Sequence, residues 1–276
     1  MTRTVTTVAE LRAALAPLRR DGIAMVPTMG ALHAGHVSLV TKARSHADTV
    51  LVSIFVNPAQ FAPHEDFDSY PRTLAADLEK LAGAADLVFA PNAREIYPDG
   101  FATTITVGGS SAGLETDFRP HFFAGVATVV AKLLLAAAPD IALFGEKDYQ
   151  QLLVVRQLVR DLALPVQIIG APTLREADGL ALSSRNAYLS ASERSIAARL
   201  NVILKDAIAQ ARSTGDLRGA ESQAMTALTQ AGFEPVDYVA IRDAQNLAPI
   251  ATLDRPARIL AAARIGKTRL IDNMAL

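Results

Sequence analysis

Ile23-Ala24-Met25-Val26 runs directly into Pro27-Thr28-Met29-Gly30-Ala31-Leu32-His33-Ala34-Gly35-His36, and the fold is decided at that junction. Four consecutive apolar residues ahead of a Pro- and Gly-containing stretch predict a short strand buried on both faces. A helical period follows over 37–46, so the segment reads as strand, polar loop and helix, the helix entered at about His36. Further apolar runs stand at 50–56, 87–90, 141–144 and 166–169, and helix-period segments at 73–82, 125–137 and 149–162 alternate with them. Strands apolar throughout, separated by amphipathic helices, predict an α/β fold: a parallel sheet with helices on both faces. In such sheets ligands gather beyond the carboxyl ends of the strands, so the loops there matter most.

The pattern changes after Arg175. Ser190 followed by Glu193 predicts a capping box that opens a helix through Ile208; 215–231 predicts another, and 236–241 and 257–265 return as strands. Two helices with two or three strands make a smaller C-terminal α/β unit. The chain therefore divides into residues 1–174 and residues 175–276, with the site between them. Its 276 residues, 50% hydrophobic, are enough to build cores of that size. Without cysteine, the chemistry rests on His, Lys, Ser and carboxylates. A net charge of -1 lacks the cationic excess that a nucleic-acid partner demands. The longest apolar stretch, 126–139, is interrupted by Lys132 and falls short of the ~20 residues that cross a bilayer. Arg3, Glu10, Arg12, Arg19 and Arg20 leave no signal-type apolar run at the start, so no membrane association and a cytoplasmic location are expected.

Four polar loops could carry chemistry. In the first, Gly30 and Gly35 allow close backbone approach, exposed amides and the following helix N-terminus favour an anion, and His33 and His36 can donate to phosphate. The same two histidines could instead cap the helix or ligate a metal. In Asn57-Pro58-Ala59-Gln60, Asn57 and Gln60 could grip a hydroxyl or carboxylate, or form a turn with an exposed Gln. Gly145-Glu146-Lys147-Asp148 opens a helix. There Lys147 can neutralise phosphate and Asp148 can accept from ribose or cap the helix, with Gln151 a turn further on. The fourth loop, 175–186, carries Leu182-Ser183-Ser184-Arg185 and can close over a triphosphate, or be an inert linker.

Taken together, PTMGALHAGH, SIFVNPAQF, FGEKDYQQL, READGLALSSRN and ARIGKTRLIDNM resemble the pantothenate synthetase family, in order and over nearly the whole chain. The first motif is shared with the wider histidine-containing nucleotidyltransferases, which have a Rossmann-like fold. The resemblance implies ATP-dependent condensation of pantoate with β-alanine through an enzyme-bound pantoyl adenylate, with release of AMP and pyrophosphate. It implies Mg²⁺ on the nucleotide and a homodimer. Carried over by position, Met29, Gly30, Ala31, Leu32, His33, Ala34, Gly35 and His36 form the first ATP loop, His36 the proton donor and His33 a phosphate contact. Gly145, Glu146, Lys147 and Asp148 bind ATP. Leu174 contacts the nucleotide through its backbone; Leu182, Ser183, Ser184 and Arg185 make the second phosphate loop, and Gln60 and Gln151 hold pantoate. Two positions depart from the family pattern: Phe122 stands where a histidine is usual, with His121 one residue earlier, and Ala59 stands where Met is frequent. Another nucleotidyltransferase, or a nucleotide-binding regulator without turnover, competes with this reading. Neutral Gln60 and Gln151 suit a hydroxy acid better than a phosphate ester, and intact Lys147 with Ser183-Ser184 argues for turnover.

Overall fold

A computed structural model describes residues 2–62 and 65–276 of the chain. The main sheet has six parallel strands: β1 (Arg3–Val5), β2 (Ile23–Thr28), β3 (Thr49–Ile54), β4 (Leu87–Phe89), β5 (Ile141–Gly145) and β6 (Gln167–Ala171). All five expected strands are present; the sixth, β1, lies at the edge and pairs with β4, its Arg3 and Thr4 exposed, so no apolar run announces it. The helices of this part are α1 (Val8–Leu15), α2 (Ala34–Arg44), α3 (Leu74–Leu81), α4 (Ala93–Ile96), α5 (Glu115–Phe118), α6 (Phe122–Ala137) and α7 (Tyr149–Asp161). Alternating strand residues feed two cores. Ile23, Met25, Leu51 and Phe144 pack with α1, α6 and α7, while Ala24, Val26, Val50, Val52 and Leu143 pack with α2 and α3.

Strand order β1-β4-β3-β2-β5-β6 puts β2 beside β5 at the sheet's centre. The chain leaves β2 towards one face, through α2, and leaves β5 towards the other, through α7. Loops that part in this way open a crevice between them, the place where ligands bind in sheets of this kind. The loops in question are 29–33 and 146–148, each expected from sequence to carry chemistry.

The second part holds α8 (Ala191–Ala197), α9 (Arg199–Thr214), α10 (Leu217–Ala231) and an antiparallel sheet of β7 (Val236–Asp243), β8 (Ala257–Ile265) and β9 (Thr268–Ala275). The Ser190–Glu193 capping box is formed. The helix expected from it to Ile208 is instead two, divided at Ala198, and the second runs on to Thr214, where Gly215 at φ 73° ends it. One face of the small sheet, with Val239, Ile241, Ile259 and Ala263, packs on α9 and α10 in a core of its own. The opposite face, with Tyr238, Ala240 and Leu260, packs against the first part. No helix is long and apolar enough to cross a membrane among the described residues.

Candidate active site

A cavity of about 1100 Å³ lies over the β2–β5 crevice, walled on its far side by β8 and β9. His33 N-caps α2: its Nδ1 accepts from the Gly35 amide at 3.1 Å, and His36 Nδ1 accepts from the His33 amide at 3.3 Å. The helix thus starts two residues earlier than expected, because imidazole does here what Ser or Asp usually does. Capping and ligand contact do not compete. A ring nitrogen that accepts an N–H carries no proton, so each neutral imidazole keeps its proton on Nε2 as a donor. The ring centroids are 4.1 Å apart. A Cβ on Gly35 would sit 2.9 Å from the His33 ring, which is why this position is glycine.

The two rings are poor bases. Burial, then Lys147 and Lys80, pushes His33 down to about 4; burial, then His33, Lys147 and Lys80, pushes His36 down to about 3. Both are neutral donors at physiological pH. The expectation of exposed loop amides is corrected: those of Ala31 and Leu32 donate to Asp77, at 2.9 and 2.8 Å, and that of Gly30 to Thr28 Oγ1 at 3.2 Å. Gly30, Ala31, Leu32 and Ala34 do not line the cavity, whereas Met29, His33, Gly35 and His36 do. Side chains, more than backbone, face a ligand here.

Across the crevice, Gly145, Lys147 and Asp148 line the cavity and Glu146 does not. Lys147 forms no ion pair among the described residues. Asp148 precedes α7 without capping it through its side chain, so its carboxylate remains available. Glu146 points instead to the second part, pairing with Arg258 at 3.1 Å. Leu174, Leu182, Ser183, Ser184 and Arg185 all line the opposite rim. Their loop spans the gap: Ser184 Oγ lies 3.2 Å from Tyr70 OH, and Arg185 grips Asp66 with two 3.1 Å bonds. Arg185 is therefore a matched charge. Ser183 Oγ accepts the Arg185 amide at 3.3 Å and so shapes the turn.

Gln60 is 8% exposed and Gln151 half-buried, and both line the cavity. Asn57 does not. Its amide is wholly engaged, donating to Gln60 Oε1 at 2.9 Å and the Gly125 carbonyl at 3.2 Å and accepting from Tyr97 OH at 2.8 Å. It fixes Gln60 with Nε2 as the free group, so the sequence expectation of substrate contact gives way to support from behind. The helix start at α6 presses on this loop, and a Cβ on Gly125 would come 2.2 Å from the Ala59 carbonyl oxygen. Phe122 lines the cavity and stacks under the Arg119 guanidinium at 3.9 Å, while His121 is off the cavity with Nε2 unpartnered among the described residues. The displaced histidine does not take over the place of Phe122.

Several residues here leave no local sequence signature. Glu115 accepts from Arg269 at 2.8 and 2.9 Å and from Tyr238 OH at 2.9 Å, joining the first part to β7 and β9. Burial raises its pKa, but Arg269 and Arg119 outweigh that and hold it below the usual carboxylate range. Arg175 and Asp272 pair at 2.7 and 2.8 Å, and Asn273 Nδ2 donates to the carbonyls of Glu146 and Lys147 at 2.9 and 2.8 Å. The one signal for them is the polar pair Asp272-Asn273 inside the otherwise apolar run 270–274. Among the described residues no cluster of three or more His, Asp or Glu could hold a metal, so the histidine pair has no third ligand there.

Two neutral imidazole donors and an ammonium group without a counter-ion among the described residues meet at a parallel-sheet switch point, faced across the cavity by β8 and β9. Such a site defines an enzyme acting on an anionic small molecule. Comparison with known proteins makes this specific. The family model for pantoate-beta-alanine ligase matches residues 3–275. A pantothenate synthetase of Mesorhizobium japonicum is 61% identical over 98% of this chain and 96% of its own. The crystal structure of pantothenate synthetase from Thermus thermophilus superposes with a TM-score of 0.92 at 49% identity, covering 99% of both chains. A pantoate-beta-alanine ligase from Francisella tularensis, complexed with beta-gamma ATP and beta-alanine, gives 0.85 at 36% identity over 99% of this chain and 97% of that one. The chain belongs to the pantoate-beta-alanine ligase family.

Proposed function

We propose that the chain joins pantoate and β-alanine into pantothenate at the expense of ATP, through a pantoyl adenylate held in the cavity. The observation that carries the reading is the convergence of His33, His36 and Lys147 on one side with Gln60 and Gln151 on the other. In the first step a carboxylate oxygen of pantoate attacks the α-phosphorus, the bond to the β-phosphate oxygen breaks, and pyrophosphate leaves. In the second the β-alanine amine attacks the acyl carbon, the C–O bond to AMP breaks, and the amine gives up a proton.

Two anions must meet in the first step, so groups that lower their repulsion act on the barrier itself. Lys147 supplies charge, and His33 and His36 supply fixed donors that need no reorganisation. With Nδ1 of each ring occupied by a backbone N–H, His33 and His36 meet the phosphates through Nε2–H as neutral donors, and His36 is the one assigned to the developing charge. Gln60 Nε2 and Gln151 orient the hydroxy acid. Ser183, Ser184 and Arg185 close over the phosphates, with Leu174 and Leu182 as neighbours, and Asp148 accepts from the ribose. Mg²⁺ bound to the nucleotide phosphates would offset part of their charge, leaving Asp148 to the ribose.

Separate hydrophobic cores support a boundary between the two parts near residue 174. A requirement for ATP favours the cytoplasm, and family resemblance supports a homodimer, which sedimentation tests. The deciding assay follows AMP, pyrophosphate and pantothenate together with ATP, pantoate and β-alanine present. Equal yields of all three, dependent on pantoate, are expected; AMP formed at the same rate without pantoate would defeat the assignment.

A further inference from the structure

The first histidine loop has an unusual backbone. Gly30 and Ala31 stand at φ 82° and 50°, two successive residues in the left-handed region. For Ala31 that region crowds Cβ against the following carbonyl, so something outside the loop must hold it. The chain supplies it from α3. Asp77, 0% exposed, accepts from the Ala31 amide through Oδ2 at 2.9 Å and from the Leu32 amide through Oδ1 at 2.8 Å, and Thr73 Oγ1 donates to it at 3.2 Å. One turn on, Lys80 Nζ donates to the Leu32 carbonyl at 2.7 Å. Leu32 is thus gripped at both its N–H and its C=O, immediately before His33. Space is tight here as well: a Cβ on Gly30 would come 3.2 Å from Asp77 Oδ2.

Neither Asp77 nor Lys80 lines the cavity. Their effect on chemistry passes through the loop they hold and, for Lys80, through its charge. A carboxylate suits two parallel amide donors because both its oxygens accept, and bonds to a charged acceptor are stronger than those to a neutral one. An amide in the same place would turn an NH₂ towards one of the two N–H groups. Lys80 acts in a second way: with burial and Lys147, its charge keeps both imidazoles unprotonated.

We infer that Asp77 and Lys80 are positioning residues for the reaction: α3 clamps the peptide before His33 and thereby sets where the two imidazoles stand, without touching substrate. The inference rests on the proposed role of the histidine loop. It is tested on the full chain with Asp77→Asn, Lys80→Met and Lys80→Arg, measuring kcat and KM for each substrate, melting temperature, and the titration of the His33 and His36 rings by NMR without ligand. Small displacements of catalytic groups cost on the order of 100-fold. We therefore expect kcat to fall by about 10- to 100-fold in Asp77→Asn and Lys80→Met, with KM for pantoate and β-alanine unchanged and most of the rate restored in Lys80→Arg. In Lys80→Met both rings should titrate at higher pH than in the parent, since Lys147, Asp148 and the neighbouring ring are all retained. Should Asp77→Asn fail to fold, Lys80→Met carries the test alone. Parental kcat in Lys80→Met, or ring titrations that do not move, overturns the inference. A parental rate in His36→Ala, measured alongside, strikes the parent reading instead, so the two failures are told apart.

Discussion

Positive charge is handled differently at the two ends of the cavity. Beside β2 and β5, Lys147 has no carboxylate partner among the described residues, and two imidazoles are kept neutral by burial and nearby cations. Around the rim and the second sheet, three guanidinium groups are matched: Arg185 to Asp66, Arg119 to Glu65 at 2.7 Å, Arg269 to Glu115. A charge without a counter-ion responds to an arriving anion, because nothing has to be displaced first. A charge with one holds two pieces of chain together, and it costs most when half the pair is removed.

Substitutions at each end can break that contrast. The largest effect is expected where a matched pair is halved: Glu115→Ala leaves the Tyr238 hydroxyl without its acceptor and Arg269 with Asp237 alone, and should cost about 3 kcal/mol in denaturant unfolding; a loss no greater than that of a surface substitution would contradict the tie. Next, Lys147→Ala should leave stability alone and lower kcat by about 10²- to 10³-fold, the usual range for one preorganised donor at developing charge. A comparable loss of stability would erase the distinction between the two ends. Arg185→Lys keeps the charge but loses the fork that meets Asp66, so only a several-fold rise in KM for ATP is expected in steady-state assays. At neutral pH the last effect is absent, and it appears only in acid. His33 and His36 have folded pKa values below the unfolded 6.5, so between those values the unfolded chain binds more protons. Stability is then fully present above about 6.5 and is lost as pH falls towards 4 and 3. Unfolding midpoints should decline more gently with acid in the His33→Gln, His36→Gln double variant; an identical decline would refute the titration argument.

Much of the fold is legible in the sequence because buried parallel strands are written as unbroken apolar runs. Edge strand β1 is not, since its residues meet solvent, and neither is β9, where Arg269, Asp272 and Asn273 break the apolar pattern while forming ties across the interface. The histidine cap of α2 is among the readings the sequence allows, but without a Ser, Thr, Asp or Asn cap to mark it the helix start falls two residues earlier than expected. At the site, Lys147, the histidines and the serine loop are visible because polar residues crowd the ends of strands. Asp66, Tyr70, Asp77 and Glu115 are invisible for a different reason: each acts on a residue far away in sequence, and pairing at a distance leaves no local spacing. Asp77 did leave one trace, a carboxylate placed on the buried side of α3 with Leu81.

Asn273, at the far end of the chain, fastens the carbonyls on either side of the peptide that carries the ammonium group. The aim of that ammonium group is therefore set from two directions, by the strand that leads into it and by the last strand of the chain, so a change in β9 reaches the crevice although it lies more than a hundred residues away.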